Sequence, residues 1–209
     1  MDVYFSPLAC SLSTRIAVYE AGAEGKVSLN QVDAKTKTIK GGGVDYRTIN
    51  AKGLVPAVRT DDGEVITENA AVLQYLADAF PDAGLAPDAG SPERYRLQQW
   101  LSFVGTELHK LVFNPLLSSK SNDGAKAFAR EGADERFDYL NDHLEGREYL
   151  IDRFSVADAY LMAVLNWAQF VGIDLAKWPA IAAYRDRVSA RPAVARALKE
   201  EFTLFQQAA

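Results

Sequence analysis

The chain has 209 residues, of which 48% are hydrophobic and 24% are charged, and its formal net charge at pH 7 is −5. This composition predicts a folded protein of one large or two small domains and argues against a disordered chain. The sequence has no basic stripe of the kind that binds nucleic acid, and no apolar run approaches the roughly 20 residues that span a bilayer. Neither nucleic acid nor a membrane is an expected partner.

The cysteine content and the first residues indicate a reducing compartment. A single cysteine cannot form an internal disulfide. The first residues lack the basic and apolar segments of a secretory signal. With one cysteine and two histidines, the chain has too few ligands for a structural zinc site. We therefore expect a cytoplasmic protein that binds no metal.

The first part of the chain alternates between strand and helix patterns. Runs of β-prone residues bounded by turn residues predict strands over residues 3–5, 26–32, 55–60 and 64–67. Apolar residues at helical spacing predict helices over residues 11–21 and 68–80. The sequence Pro-Asp-Ala-Gly then occurs twice, at 81–84 and 87–90, and marks a domain boundary.

The rest of the chain shows only helical patterns, over residues 92–113, 124–144, 156–171, 179–190 and after Pro192. One helix start is well marked, because Ser155 and Asp158 form a capping-box pattern. The sequence thus predicts an α/β domain over residues 1–81 and an all-α domain over residues 87–209. The β-α-β-α-β-β-α order of the first domain is typical of a thioredoxin-like module. A proline that precedes a strand in such a module is often cis, and Pro56 occupies that place.

Cys10 lies between the first strand and the first helix, in the run ACSLS at 9–13. Unpaired amides and the positive end of the helix dipole at such a junction favour a thiolate. The C-x-x-S spacing keeps one sulfur of a dithiol redox motif, so a disulfide here requires an external thiol, and glutathione is the abundant one in the cytosol. The competing interpretation is a small buried hydrophobic residue.

Two further segments have the chemistry to recognise glutathione. A peptide laid beside Val55-Pro56 can pair with the Val55 backbone, as in β-augmentation. A helix begins at Thr67-Glu68-Asn69, so Glu68 can hold the α-amino group of the γ-glutamyl end while the helix amides hold its carboxylate. Alternatively, these residues only cap the helix.

Three lysines and one histidine complete the candidates. Lys35, Lys37 and Lys52 are candidates for binding the glycyl carboxylate of glutathione, although most lysines are simply solvated. His109 lies in a predicted helix, where a lone histidine is more often packed or exposed than catalytic.

Runs along nearly the whole chain resemble the beta-class glutathione transferases, a family best known from bacteria. The runs are ACSLS at 9–13, INAKGLVP at 49–56, TEN at 67–69, QYLAD at 74–78, ELHK at 107–110 and FSVADAYL at 154–161. The resemblance implies a homodimer in which the thioredoxin-like domain binds glutathione and a cleft beside the helical domain binds an apolar electrophile. It implies that Cys10 can hold glutathione as a mixed disulfide and that His109 lies near it.

The resemblance and the residue patterns together assign glutathione contacts to Lys35, Lys52, Val55, Pro56, Glu68, Asn69 and Lys110. Asn69 departs from the family pattern, because relatives commonly have a small residue there, often serine. Aromatic residues in the second domain are candidates for lining the electrophile site, although core packing explains them equally well: Phe113, Trp167 and Phe170.

The expected activity is conjugation of the glutathione thiolate to small hydrophobic electrophiles, with a role in detoxification. Two alternatives remain open. One is glutathione-dependent thiol–disulfide exchange, or a peroxidase or dehalogenase activity, through Cys10. The other is a non-catalytic ligand-binding or interaction protein of the same fold.

Overall fold

The computed structural model describes residues 1–208, and for Ala208 the backbone alone. The chain divides into two compact units. One consists of residues 1–86 together with the end of the chain from Pro192, and the other of residues 87–191.

The first unit is built on a four-stranded sheet in the order β2-β1-β3-β4. Its strands are β1 (Asp2–Phe5), β2 (Ser28–Gln31), β3 (Ala57–Arg59) and β4 (Val65–Thr67). Strand β1 pairs in parallel with β2 and antiparallel with β3, and β3 pairs antiparallel with β4. The four predicted strands and the mixed sheet of a thioredoxin-like domain are confirmed.

Helices α1 (Leu12–Glu20) and α2 (Asn69–Ala79) belong to the same unit and match the two predicted helices. A further helix between β2 and β3, expected from the module, is reduced to the 3-10 turn Tyr46–Thr48. The preceding polar segment ends in three glycines at 41–43 and carries no apolar stripe that could form a helix against the sheet. A second 3-10 turn, Pro81–Ala83, follows α2.

All the regular secondary structure of the second unit is helical. Its α-helices are α3 (Pro92–Phe103), α4 (Asn114–Leu117), α5 (Asp123–Glu131), α6 (Ala133–Leu144), α7 (Val156–Leu165), α8 (Ala168–Val171) and α9 (Pro179–Ser189). A π-helical segment, Val104–Phe113, continues α3, and a 3-10 turn, Leu175–Lys177, precedes α9. The single helix predicted over 124–144 is divided in two at Gly132, a residue with low helix propensity.

The last helix, α10 (Pro192–Ala208), packs against α1 and so belongs to the first unit. Val194 and Ala197 are fully buried on its inner side. The sequence analysis assigned this segment to the helical domain over residues 87–209. That assignment differs from the structure because the tertiary contacts of a helix cannot be read from its own periodicity.

Asp158, at the start of α7, is fully buried and connects three parts of the second unit. Its Oδ1 accepts hydrogen bonds from the Leu150 N–H and the Tyr184 hydroxyl, both at 2.9 Å. Its Oδ2 accepts from the N–H and the hydroxyl of Ser155, at 2.9 and 2.8 Å. The predicted capping box is therefore confirmed. Burial raises the pKa of Asp158 to about 6, although these donors lower it.

We expect Asp158→Ala to lower the free energy of unfolding by about 3 kcal/mol or more, because several buried donors lose their acceptor. Urea unfolding followed by circular dichroism measures the change. Asp186→Ala is the matched control, since this carboxylate on α9 is 70% exposed and should change the free energy by about 0.5 kcal/mol or less. Equal unfolding free energies for the two variants would contradict the assigned role of Asp158.

Candidate active site

Cys10 lies in the turn between β1 and α1 and is partly buried. Its thiol donates a hydrogen bond to the Val55 carbonyl oxygen, with 3.4 Å between sulfur and oxygen. The peptide bond between Val55 and Pro56 is cis. The Ser11 hydroxyl, 3.1 Å from the Ser6 nitrogen and 3.2 Å from the Ser6 oxygen, closes the turn. The structure thus joins two of the predicted segments, 45 residues apart in the chain.

The sequence predicts unpaired amides after Cys10, but at least two of the amides there are paired within the turn. The Leu12 N–H donates to the Ala9 carbonyl oxygen at 2.9 Å, and the Ser13 N–H donates to the Cys10 carbonyl oxygen at 3.1 Å. The prediction is wrong for Leu12 and Ser13, because the chain enters α1 through tight turns that satisfy these two donors locally. The positive end of the α1 dipole still faces this turn.

Glu68 precedes α2 with a φ angle of 69°, in the left-handed region. A residue with a side chain adopts this region at a cost of about 1–3 kcal/mol, and such strain is concentrated at functional sites. The Glu68 carboxylate pairs with the Lys52 ammonium group, which also donates to the Thr67 hydroxyl at 3.2 Å. The structure therefore brings together Glu68 and Lys52, which the sequence analysis had considered for opposite ends of glutathione.

Asn69, the first residue of α2, is 7% exposed and reaches the Cys10 turn. The Ser13 hydroxyl donates to the Cys10 carbonyl oxygen at 2.6 Å and lies 3.1 Å from Asn69 Oδ1. The other atom of the amide, Nδ2, is buried and has no hydrogen-bond partner within residues 1–208. A buried unpaired donor costs about 1–3 kcal/mol, a cost that an acceptor on a ligand would remove.

The lysines of the loop after β2 are placed differently from one another. Lys35 is exposed, and its backbone N–H donates to Asp33 Oδ1 at 2.8 Å. Lys37 lies against Gly53, since a Cβ built on that glycine would be 3.5 Å from Lys37 Cδ. Among the contacts within residues 1–208, none brings Lys35 to Cys10. Lys37 therefore lies beside the chain segment that leads into Val55.

His109 lies in the second unit, within the π-helical segment, a conformation that is frequent at functional sites. It is 9% exposed, and its Nδ1 lies 2.7 Å from the Tyr160 hydroxyl on α7. Its ring packs edge to face against Trp167, with 4.8 Å between centroids. Burial, together with the positive charge of Lys110, lowers the pKa of His109 to about 4. The imidazole is therefore neutral near pH 7.

The other candidates in the second unit divide between core and surface. Phe113 is fully buried and packs on Phe137 and Trp167, so core packing explains it. Phe170 is 44% exposed, and Lys110 is exposed beside His109.

Sequence reasoning missed Tyr160, the hydrogen-bond partner of His109. The two residues are 51 positions apart, and no local spacing links them. The run at 154–161 indicates a helix start and the family resemblance, but it does not show that Tyr160 contacts His109.

Within residues 1–208, no helix has both the length and the apolar character that a membrane span requires. The same stretch contains no cluster of three or more histidine, cysteine, aspartate or glutamate side chains suited to holding a metal.

Comparisons with known proteins find similar sequences and structures that extend over most of the chain. The model of the glutathione S-transferase C-terminal domain family matches residues 106–192. The glutathione S-transferase GstA of Escherichia coli O157:H7 is 38% identical over 202 residues, which cover 96% of this chain and 98% of that protein. Two solved structures have TM-scores of 0.90 and each align with 96% of this chain and 98% of the other. One is a sphingomonad glutathione S-transferase complexed with glutathione, 45% identical, and the other a bacterial beta-class enzyme of Sphingomonas chungbukensis, 44% identical.

We expect His109 to remain neutral as the pH is lowered from 8 to about 5, because its pKa lies near 4 rather than at the ordinary value of 6.5. The ring nitrogen shifts in a pH titration by NMR measure this, and His109→Gln assigns the resonances. His143 serves as the internal comparison, although burial lowers the pKa of that residue as well. A midpoint for His109 at or above 6.5 would show that the ring is solvated.

Proposed function

The chain belongs to the glutathione S-transferase family, and we propose that it conjugates the thiol of glutathione to small hydrophobic electrophiles, with Cys10 beside the reacting sulfur. The observation that carries this proposal is the 3.4 Å contact between the Cys10 thiol and the carbonyl oxygen of Val55, next to the cis bond at Pro56. A peptide ligand paired with the Val55 backbone would place its own cysteine near the Cys10 thiol. The sphingomonad relative, solved with glutathione, supports the same ligand here.

Backbone pairing at Val55 would hold the middle of glutathione. The Val55 N–H has no acceptor within residues 1–208, so it is available to a peptide ligand. Pro56, which is buried, borders this position. Recognition through the main chain gives affinity, and the ends of the tripeptide must supply specificity.

The start of α2 would bind the γ-glutamyl end. The carboxylate of Glu68 would hold the α-amino group, and the first amides of α2 with Asn69 Nδ2 would hold the α-carboxylate. The unpaired and buried state of that Nδ2 supports this assignment. Lys35, Lys37 and Lys52 remain our candidates for the glycyl carboxylate, and the position of Lys37 beside Gly53 supports that residue.

The proposed reaction forms a bond between the glutathione sulfur and an electrophilic carbon. Glutathione first loses its thiol proton to solvent, and the thiolate then attacks while a carbon–halogen bond breaks and halide leaves. His109 would contribute a neutral imidazole to the reaction and Lys110 a positive charge. Trp167 and the exposed Phe170 are our candidates for contacting the electrophile.

We further propose that the protein acts in the cytoplasm as a homodimer with a role in detoxification. The single cysteine supports a reducing compartment, and the beta-class resemblance supports the dimer. Light scattering coupled to size-exclusion chromatography measures the mass of the assembly against the 22.9 kDa of one chain.

The function is tested first at Cys10. We expect glutathione to saturate turnover with chlorodinitrobenzene, and a glutathione adduct to appear in the intact mass of the protein after incubation with glutathione disulfide. Cys10→Ser should abolish the adduct. Conjugation that survives in this variant supports the proposed role beside the reacting sulfur, whereas loss of both activities favours thiol–disulfide exchange with Cys10 as the nucleophile. Failure of the wild-type protein to bind glutathione would favour a non-catalytic member of the fold.

The γ-glutamyl assignment is tested by the KM for glutathione. We expect Glu68→Gln and Asn69→Ala each to raise KM about tenfold, the effect of losing about 1.4 kcal/mol of binding, with a smaller change in kcat. Asn69→Ser, which replaces the amide donor with a hydroxyl donor, should retain most of the affinity. Glu64→Gln is the matched control, because this exposed carboxylate lies just before β4. Unchanged KM in both test variants would place the γ-glutamyl end elsewhere.

A further inference from the structure

A buried carboxylate in the first unit, that of Glu201, has no part in the proposed reaction. Glu201 lies on α10, and its side chain is 0% exposed. It shares the buried side of that helix with Val194 and Ala197. A carboxylate survives in such a place only where partners compensate for the water it has lost.

Two hydrogen-bond donors, one at each oxygen, compensate the Glu201 carboxylate for the water that it has lost. Arg15 Nε on α1 donates to Oε1 at 3.0 Å. The backbone N–H of Leu8 donates to Oε2 at 2.8 Å. Arg15 is itself 5% exposed, and its Nη1 lies 3.0 Å from both Glu200 Oε2 and the Tyr19 hydroxyl. The end of the chain is therefore bonded directly to the turn between β1 and α1.

Leu8 is the strained residue of that turn. Its φ angle is 57°, in the left-handed region, which residues with a side chain avoid. Such a conformation persists only when its surroundings enforce it. Leu8 precedes Cys10 by two positions. A bond from its N–H to a buried carboxylate is charge-assisted and therefore among the stronger hydrogen bonds.

We propose that Glu201 is a positioning residue, whose carboxylate holds the Leu8 backbone in its left-handed conformation and so fixes where the turn carries the Cys10 sulfur. The importance of this position rests on the proposed function. A carboxylate suits the place because it accepts at both oxygens. A glutamine has one oxygen and one NH₂ group, so either Arg15 or Leu8 would face a donor.

The test is the rate at which Cys10 of the folded protein reacts with iodoacetamide at pH 8 without glutathione. We expect Glu201→Gln to raise this rate about tenfold, the scale of losing one hydrogen bond to a charged group, because the released turn exposes the sulfur. Glu200→Gln is the matched control, since Glu200 also bonds Arg15 but does not contact the turn. Its rate should stay within about twofold of the wild type, because Glu200 is 37% exposed and its bonds to Arg15, Arg196 and Tyr19 do not involve the turn.

A second substitution distinguishes a local effect on the turn from a structural loosening of the whole unit. In the Glu201→Gln background, Leu8→Gly should return the rate toward that of the wild type, because glycine adopts a positive φ without strain. No rescue would assign the effect to general loosening and overturn the proposal. Equal rates for Glu201→Gln and the wild type would also overturn it.

If Glu201→Gln does not fold, hydrogen exchange in the wild-type protein tests the bond between Leu8 and Glu201. The Leu8 amide should be protected, and exchange at the unprotected rate would exclude the bond to Glu201. These readouts need no transferase activity. A wild-type protein that fails to bind glutathione would therefore refute the proposed function while leaving the effect of Glu201 on Cys10 measurable.

Discussion

The register of β1 against β3 is the constraint on which the candidate site depends. Tyr4 lies opposite Ala57, the first residue of β3, so the segment that contains Val55 enters the sheet beside the end of β1. The chain turns back at Ser6, so the turn carries Cys10 over the backbone of Val55. A slip of one residue would turn the side chains of β1 to the wrong faces of the sheet, so burial of the sheet also secures the contact at the sulfur.

Features that depend on neighbouring residues could be predicted from the sequence, and the contacts among distant residues could not. The strands follow from local patterns of β-prone and turn residues, and the capping box from Ser155 and Asp158. The special place of Pro56 follows from the thioredoxin-like order of the elements. The division of a predicted helix at Gly132 was missed, because apolar periodicity continues across a residue that only weakens a helix. The pairing of the Leu12 and Ser13 amides was not predicted, since the sequence does not show the tight turn at the start of α1.

One sequence pattern on the last helix does reflect a long-range contact. Val194, Ala197 and Glu201 stand at i, i+3 and i+7, the spacing of a buried helix face. A glutamate in such a series predicts either an exposed stripe or a buried acid that needs a cation and further donors. The pattern cannot name Arg15 as that cation, since tertiary packing alone brings α1 and α10 together.

The two buried acids within residues 1–208 are compensated for the loss of water in different ways. Asp158 is surrounded by neutral donors of its own unit, and Glu201 by a guanidinium and one backbone amide. Burial raises the pKa of both, to about 6 and about 7. Well-packed apolar residues often replace a buried ion pair with no loss of stability, so stability alone does not require a carboxylate at 201. An apolar side chain, however, could not accept the hydrogen bond of Leu8. The need for a glutamate there follows from the conformation of the turn that carries Cys10.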